Sequence, residues 1–156
     1  MKGVVRHPKK ASFSVTVVDQ TRQRLPLAFF RTCANKSLDV LGAHSGSSIG
    51  IVFVENVLMR KLNARYRKKA RTTNVLAFSY KEGFSGHKKN IVGDIILCVP
   101  EVRREAKLLG RTLKTHLAVL LVHGMVHLAG YDHSRSLNTR RMEAVEKRIL
   151  QKLGLS

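Results

Sequence analysis

Three histidines, His123, His127 and His133, carry the spacing in this chain best suited to chemistry. Residues four apart on a helix are separated by about 40° around its axis and one turn along it, so His123 and His127 project from one face. Gly130 follows three residues later, where a glycine in the left-handed conformation can end the helix and turn the chain so that His133 comes back toward the other two. Three neutral imidazoles hold Zn²⁺ with a fourth position left for water, the arrangement of a catalytic site rather than a closed structural one. The expectation is therefore one zinc ion per chain on His123, His127 and His133.

A His-x-x-x-His pair alone is common on packed or solvated helices. The third histidine separates this run from that background, because His-x-x-x-His-x-x-Gly-x-x-His is the ligand spacing of the metzincin peptidases. In those peptidases the residue after the first histidine is a glutamate that takes the proton from the metal-bound water. Here it is Gly124, which has no acid or base to offer. The metal chemistry survives and the peptidase mechanism does not.

The longer run His123-Gly124-x-x-His127-Leu128-x-Gly130-Tyr131-Asp132-His133 resembles the signature of the YbeY family, metal-dependent endoribonucleases of bacteria and organelles that act in ribosomal RNA maturation. Leu62-Asn63-Ala64-Arg65-Tyr66-Arg67, Thr73 to Phe78, Gly93-Asp94-Ile95-Ile96-Leu97 and Met142-Glu143-x-x-Glu146 fall in the same order, so the likeness spans roughly residues 45 to 154. Ala77, Ser79 and Val126 depart from the usual serine, proline and leucine, and residues 1–10 read as a private basic extension. The resemblance implies a single-strand-specific, zinc-dependent endoribonuclease that matures the 3′ end of 16S ribosomal RNA. It also implies ribosomal RNA and the small ribosomal subunit as partners, with a small-subunit ribosomal protein and an assembly GTPase beside them. Arg67 takes a functional role from its motif and stands with His123 among the expected catalytic residues. A planar guanidinium can hold two phosphate oxygens and stabilise the charge that builds in a phosphoryl transition state. The attacking group stays open between metal-activated water and a 2′-hydroxyl of the strand itself.

Charge supports the same substrate class. Lys and Arg number 29 against 10 Asp and Glu, a net +19, and a field of that sign draws polyanions, nucleic acid first. Arg60, Lys61, Arg65, Arg67, Lys68, Lys69 and Arg71 place seven cations within twelve residues, dense enough to track a phosphate backbone. Two rivals stand beside the nuclease. A metallopeptidase explains the ligand spacing but neither Gly124 nor the charge, whereas a non-catalytic ribosome-assembly factor with a structural metal explains charge and ligands equally well, with only the open fourth position against it.

The elements that must position these residues alternate strand and helix. Ser12–Val18 is β-rich, Pro26 opens a helix to about Leu41, Ile49–Val54 is a buried strand, and Asn56–Arg67 has helical period. Thr73–Tyr80 and Ile91–Val99 are strands flanking a glycine-containing loop, Lys81–Asn90. Pro100 begins a helix to about Leu109, Thr112 begins the histidine-bearing helix to about Ala129, and Asn138 caps a last helix to about Leu153. The sum is one α+β domain over residues 1–156, a four-stranded mixed sheet with about five helices. The histidine helix, apolar almost all round, should be the central buried one.

Residues 1–10 are basic without a following apolar segment, and the longest apolar run, Leu117 to Val122, is far too short for a span. The expectation is a cytoplasmic protein with no membrane partner. Cys33 and Cys98 read as packed core thiols. The second nitrogens of the histidines need acceptors, for which Asp132 or backbone carbonyls are candidates, and Asp94 is a further carboxylate that could face the site.

Overall fold

The computed structural model describes residues 9–80, 90–131 and 136–155. Nine elements follow in order: β1 (Ser14–Asp19), α1 (Leu27–Val40), β2 (Ser48–Val54), α2 (Asn56–Arg67), β3 (Val75–Ser79), β4 (Val92–Cys98), α3 (Val99–Leu108), α4 (Leu113–Leu128) and α5 (Ser136–Leu153). The strands form one sheet in the order β1-β2-β4-β3. β1, β2 and β4 are parallel, and β3 runs antiparallel to β4 on the edge. This is the mixed four-stranded α+β architecture expected from the sequence. The differences lie at the ends: α3 begins one residue before Pro100, and α5 begins at Ser136, two residues before Asn138.

Alternation along the strands gives the sheet two unequal faces. Ile49, Ile51 and Phe53 of β2 and Ile95 and Leu97 of β4 are buried in the larger core with Phe30, Leu38 and α4. The opposite face carries Val54, Leu76 and Cys98, covered by Met59 of α2. Both cysteines are free and buried, and burial pushes the Cys33 thiol up to about 11, so neither is poised as a nucleophile.

α4 is the central helix. Leu117, Ala118, Leu121, Met125 and Leu128 pack in the main core, while Val122 and Val126 meet Met142 and Ile149 of α5 on the other side. Fully burying each such large apolar side chain contributes roughly 1.5–3 kcal/mol, so helix position is set by packing on two sides. At its start Thr112 accepts from the Thr115 N–H at 3.1 Å, an N-cap. At its end Gly130 takes φ +96°, and the N–H groups of Gly130 and Tyr131 close back on His127 O (2.9 Å) and Val126 O (3.3 Å). This pattern satisfies the last carbonyls and turns the chain sharply.

Two glycines set how closely α4 rides on β4. A Cβ on Gly124 would lie 3.2 Å from the Cδ1 and Cγ2 atoms of Ile95, and one on Gly93 would collide with the Phe78 carbonyl and sit 2.9 Å from Leu128 Cδ2. α4 therefore runs antiparallel to β4, with its histidine-bearing end over the start of that strand. Among the described residues, no helix is long and apolar enough to cross a membrane.

Candidate metal centre

His123 and His127 occupy the last two turns of α4, half-buried, with ring centroids 4.6 Å apart and planes at 82°. Each ring is held from behind. His123 Nδ1–H donates to Glu146 Oε1 at 2.6 Å, and His127 Nδ1–H donates to the Tyr131 carbonyl at 3.1 Å. Carboxylate and carbonyl oxygens only accept, so both rings take the Nδ1–H tautomer and turn an Nε2 lone pair forward. The two Nε2 atoms meet at 3.1 Å.

That separation tests the fit of a cation. Zinc–nitrogen bonds of about 2.0–2.1 Å at tetrahedral angles put neighbouring donor nitrogens roughly 3.3–3.4 Å apart. The observed distance is within a few tenths of that edge, and the acceptors on Nδ1 are the kind that orient metal-bound imidazoles. The pair fits a zinc-like ion. His133 and Asp132 lie outside the described residues, and among those described no group of three metal-binding side chains occurs.

Glu146, present in the sequence only as part of the Met142-Glu143-x-x-Glu146 motif and given no role there, is the acceptor that holds the His123 ring. It comes from α5, 23 residues away, and also lines a groove of about 380 Å³ with Arg111, Thr115, Glu143 and Lys147. The signal was a carboxylate pair, Glu143 and Glu146, on an otherwise basic helix. A third histidine of α4, His116, is buried and spent on packing: its Nε2–H donates to Glu105 at 3.0 Å while Arg111 approaches Nδ1 at 3.4 Å. Glu105 also accepts from Asn74 Nδ2 at 3.1 and 3.2 Å, so this network ties the entry of β3 to α3 and α4.

Asp94, weighed as a carboxylate facing the site, does not face it. Its register partner is Phe78 and its side chain lies on the sheet face opposite α4, where Oδ2 accepts from the Tyr80 hydroxyl at 2.6 Å. Strand alternation fixes this: Gly93 and Ile95 point toward α4, so Asp94 between them points away.

Arg67 ends α2, the helix on that same opposite face, and is exposed. It lines a polar notch of about 110 Å³ with Asn63, Lys69, Arg71 and Thr73. Among the described residues it makes no hydrogen bond or ion pair, and no contact joins it to the histidine pair. The notch is built by buried Asn63, whose Nδ2 donates to the Arg71 carbonyl at 2.8 Å and whose own carbonyl accepts from Lys69 N–H at 3.3 Å. Lys68 takes φ +55° to make the turn. Asn63 thus knots the cation-rich loop into one conformation.

Fold and site together define an α+β domain whose central helix ends in two imidazoles converged and oriented for a cation. The family model described as Endoribonuclease YbeY matches residues 8–154. The chain belongs to the YbeY family. A relative named Endoribonuclease YbeY from Polynucleobacter asymbioticus is 45% identical over 104 residues, 67% of this chain and 64% of the relative. Another from Nitrosospira multiformis is 37% identical over 156 residues, covering 94% of this chain and 82% of the relative. With that from Aromatoleum aromaticum, 46% identical over 95 residues, the match spans 61% of this chain and 58% of the relative. The solution structure of TM1509 from Thermotoga maritima superposes with a TM-score of 0.62 over 89% of this chain and 88% of that one, and at 20% identity it speaks for the fold.

Proposed function

We propose that this chain is a metal-dependent endoribonuclease that hydrolyses phosphodiester bonds of ribosomal RNA, with His123, His127 and His133 holding one Zn²⁺. The observation that carries the reading is the 3.1 Å convergence of two Nε2 atoms whose Nδ1 sides are both committed to acceptors. When bound, the metal would polarise a phosphate oxygen or lower the pKa of water toward neutrality. The residues of the chain do the rest. Glu146 and the Tyr131 carbonyl fix the tautomers of His123 and His127. Arg67, exposed and beside other cations, offers a two-pronged donor to the scissile phosphate, which accumulates negative charge as the phosphorus–oxygen bond breaks. Gly124 supplies no base, so the proton of the attacking oxygen must pass to solvent or to the site itself. The net charge of +19 suits a polyanionic substrate.

Maturation of the 3′ end of 16S RNA, the small ribosomal subunit, a small-subunit ribosomal protein and an assembly GTPase are the substrate site and partners that accompany this reading within the family.

The test is cleavage of a small-subunit ribosomal RNA fragment by purified protein with and without a chelator, beside His127→Ala and Arg67→Lys. Chelation and His127→Ala should abolish cleavage, and His127→Ala should lose the metal by elemental analysis. Arg67→Lys keeps charge but loses the fork, so RNA binding should stay within a few-fold while single-turnover cleavage falls on the order of a hundredfold, about 3 kcal/mol of transition-state stabilisation. Cleavage by Arg67→Lys at the parental rate returns that arginine to the general basic surface. RNA bound but never cut, with metal retained, would instead mark a non-catalytic assembly factor. End-group analysis then distinguishes water attack from 2′-hydroxyl attack, since only the latter leaves a cyclic phosphate.

A further inference from the structure

Among the described residues, the sheet face under α2 is covered at one end only. Register pairs Thr16, Gly50, Asp94 and Phe78 in one row across the four strands, and Ser14, Ser48 and Val92 in the next, beside which Tyr80 N–H donates to Val92 O at 3.0 Å. Met59 reaches the rows nearer Val54 and Cys98. Toward the uncovered end stand a pair of tyrosines: Tyr66, in the last turn of α2, is 55% exposed, and Tyr80, just past β3, is 53% exposed.

Neither ring is loose. Tyr66 meets Phe78 edge-on at 5.0 Å and 60°. The Tyr80 hydroxyl donates to Asp94, which has room because a Cβ on facing Gly50 would overlap its Oδ1. Both large rings are thus fixed with much of their surface left to water, and Tyr66 lies beside Arg65, whose guanidinium is 5.5 Å from its ring centroid, just before the turn carrying Lys68 and Lys69.

We propose that Tyr66, Phe78 and Tyr80 form a stacking platform for unpaired bases of single-stranded RNA, its phosphates lying over the cations of residues 60–71; this rests on the endoribonuclease reading. Every base has a π-face, and an exposed, immobilised ring loses little entropy when a base stacks on it. A duplex keeps its bases stacked inside, so a platform of this kind selects single strands. Asp94 sets the orientation: its carboxylate repels phosphate from the sheet and favours bases there, with the backbone displaced toward α2. The platform also leads to the metal centre, because Ser79 pairs with Gly93, the residue over which Leu128 of α4 lies. A strand crossing edge strand β3 passes from the tyrosines toward the histidines.

The chain has no tryptophan and three tyrosines, Tyr66, Tyr80 and Tyr131, so its intrinsic emission reports largely on this face. The full chain is titrated, at fixed salt, with a short single-stranded RNA carrying 2′-O-methyl groups and with its duplex. Single strands should quench tyrosine emission and duplexes should not. Tyr66→Leu and Tyr80→Leu should each weaken single-strand binding roughly tenfold, leaving the salt slope unchanged because no cation is lost. Tyr66→Phe and Tyr80→Phe should keep affinity within about threefold while each removes some of the quench, a readout that holds even if a leucine variant misfolds. Parental affinity in the leucine variants, with RNA still cleaved, overturns the platform and leaves the nuclease reading intact. Equal losses on duplex and single strand overturn the selectivity and with it the platform. A parental protein that neither binds nor cuts RNA overturns both.

Discussion

His123 and Glu146 belong to different helices and meet at 2.6 Å. A carboxylate behind a ligand imidazole fixes its tautomer and raises its basicity, and removing such a partner typically costs about 10–100-fold in metal affinity. Glu146→Ala should therefore weaken zinc binding by that range in a competition titration with a chromophoric chelator. Glu146→Gln keeps an acceptor without the charge, so its loss should be the smaller of the two. Equal affinity in all three proteins would reduce Glu146 to a surface contact. The sequence made the histidine spacing plain because both residues share one helix. Their acceptors were less legible: a backbone carbonyl was expected and Tyr131 supplies one, whereas Glu146 depends on how α5 packs against α4, which no local pattern encodes.

At the scale of elements, the spacing between α4 and the sheet is the controlling quantity, and it is set at Gly93 and Gly124. A methyl on Gly93 would strike the Phe78 carbonyl of the neighbouring strand, which cannot move without breaking the β3–β4 pairing. Gly93→Ala should cost roughly 3 kcal/mol, lowering Tm by about 6–12 °C in a scanning calorimeter. At Gly124 the obstacle is the end of a flexible side chain, Ile95, at 3.2 Å. There the crowding is offset by the gain of about 1 kcal/mol for alanine over glycine within a helix, so Gly124→Ala should stay within about 1 kcal/mol of the parent. If the two variants melt alike, helix–sheet distance is not what these glycines control. Most elements were readable from period and turn residues. Asp94 was misplaced because alternation says which residues share a face but not which face α4 will cover; that follows only from the strand order β1-β2-β4-β3, which the chain sequence does not state.

For the whole molecule, a net charge of +19 is a large self-repulsion to maintain in a compact domain, and the cations are densest along residues 60–71. The loop after α2 holds Arg67, Lys68, Lys69 and Arg71 in a turn that buried Asn63 pins by two hydrogen bonds. Cations fixed in this way lose little freedom when phosphate arrives, so each displaced counterion should register in the salt dependence of binding. Log affinity for RNA should fall linearly with log salt, and replacing Lys68 and Lys69 together by alanine should flatten that slope by roughly one to two units. Lys68 has φ +55°, a left-handed conformation that asparagine adopts more readily than lysine or alanine. Lys68→Asn therefore separates charge from backbone conformation: it should flatten the slope by about one unit while leaving the melting temperature unchanged. A parental slope in these variants would mean that RNA does not cross this loop, and the path from the tyrosine face to the histidines would then have to run along the other side of β3.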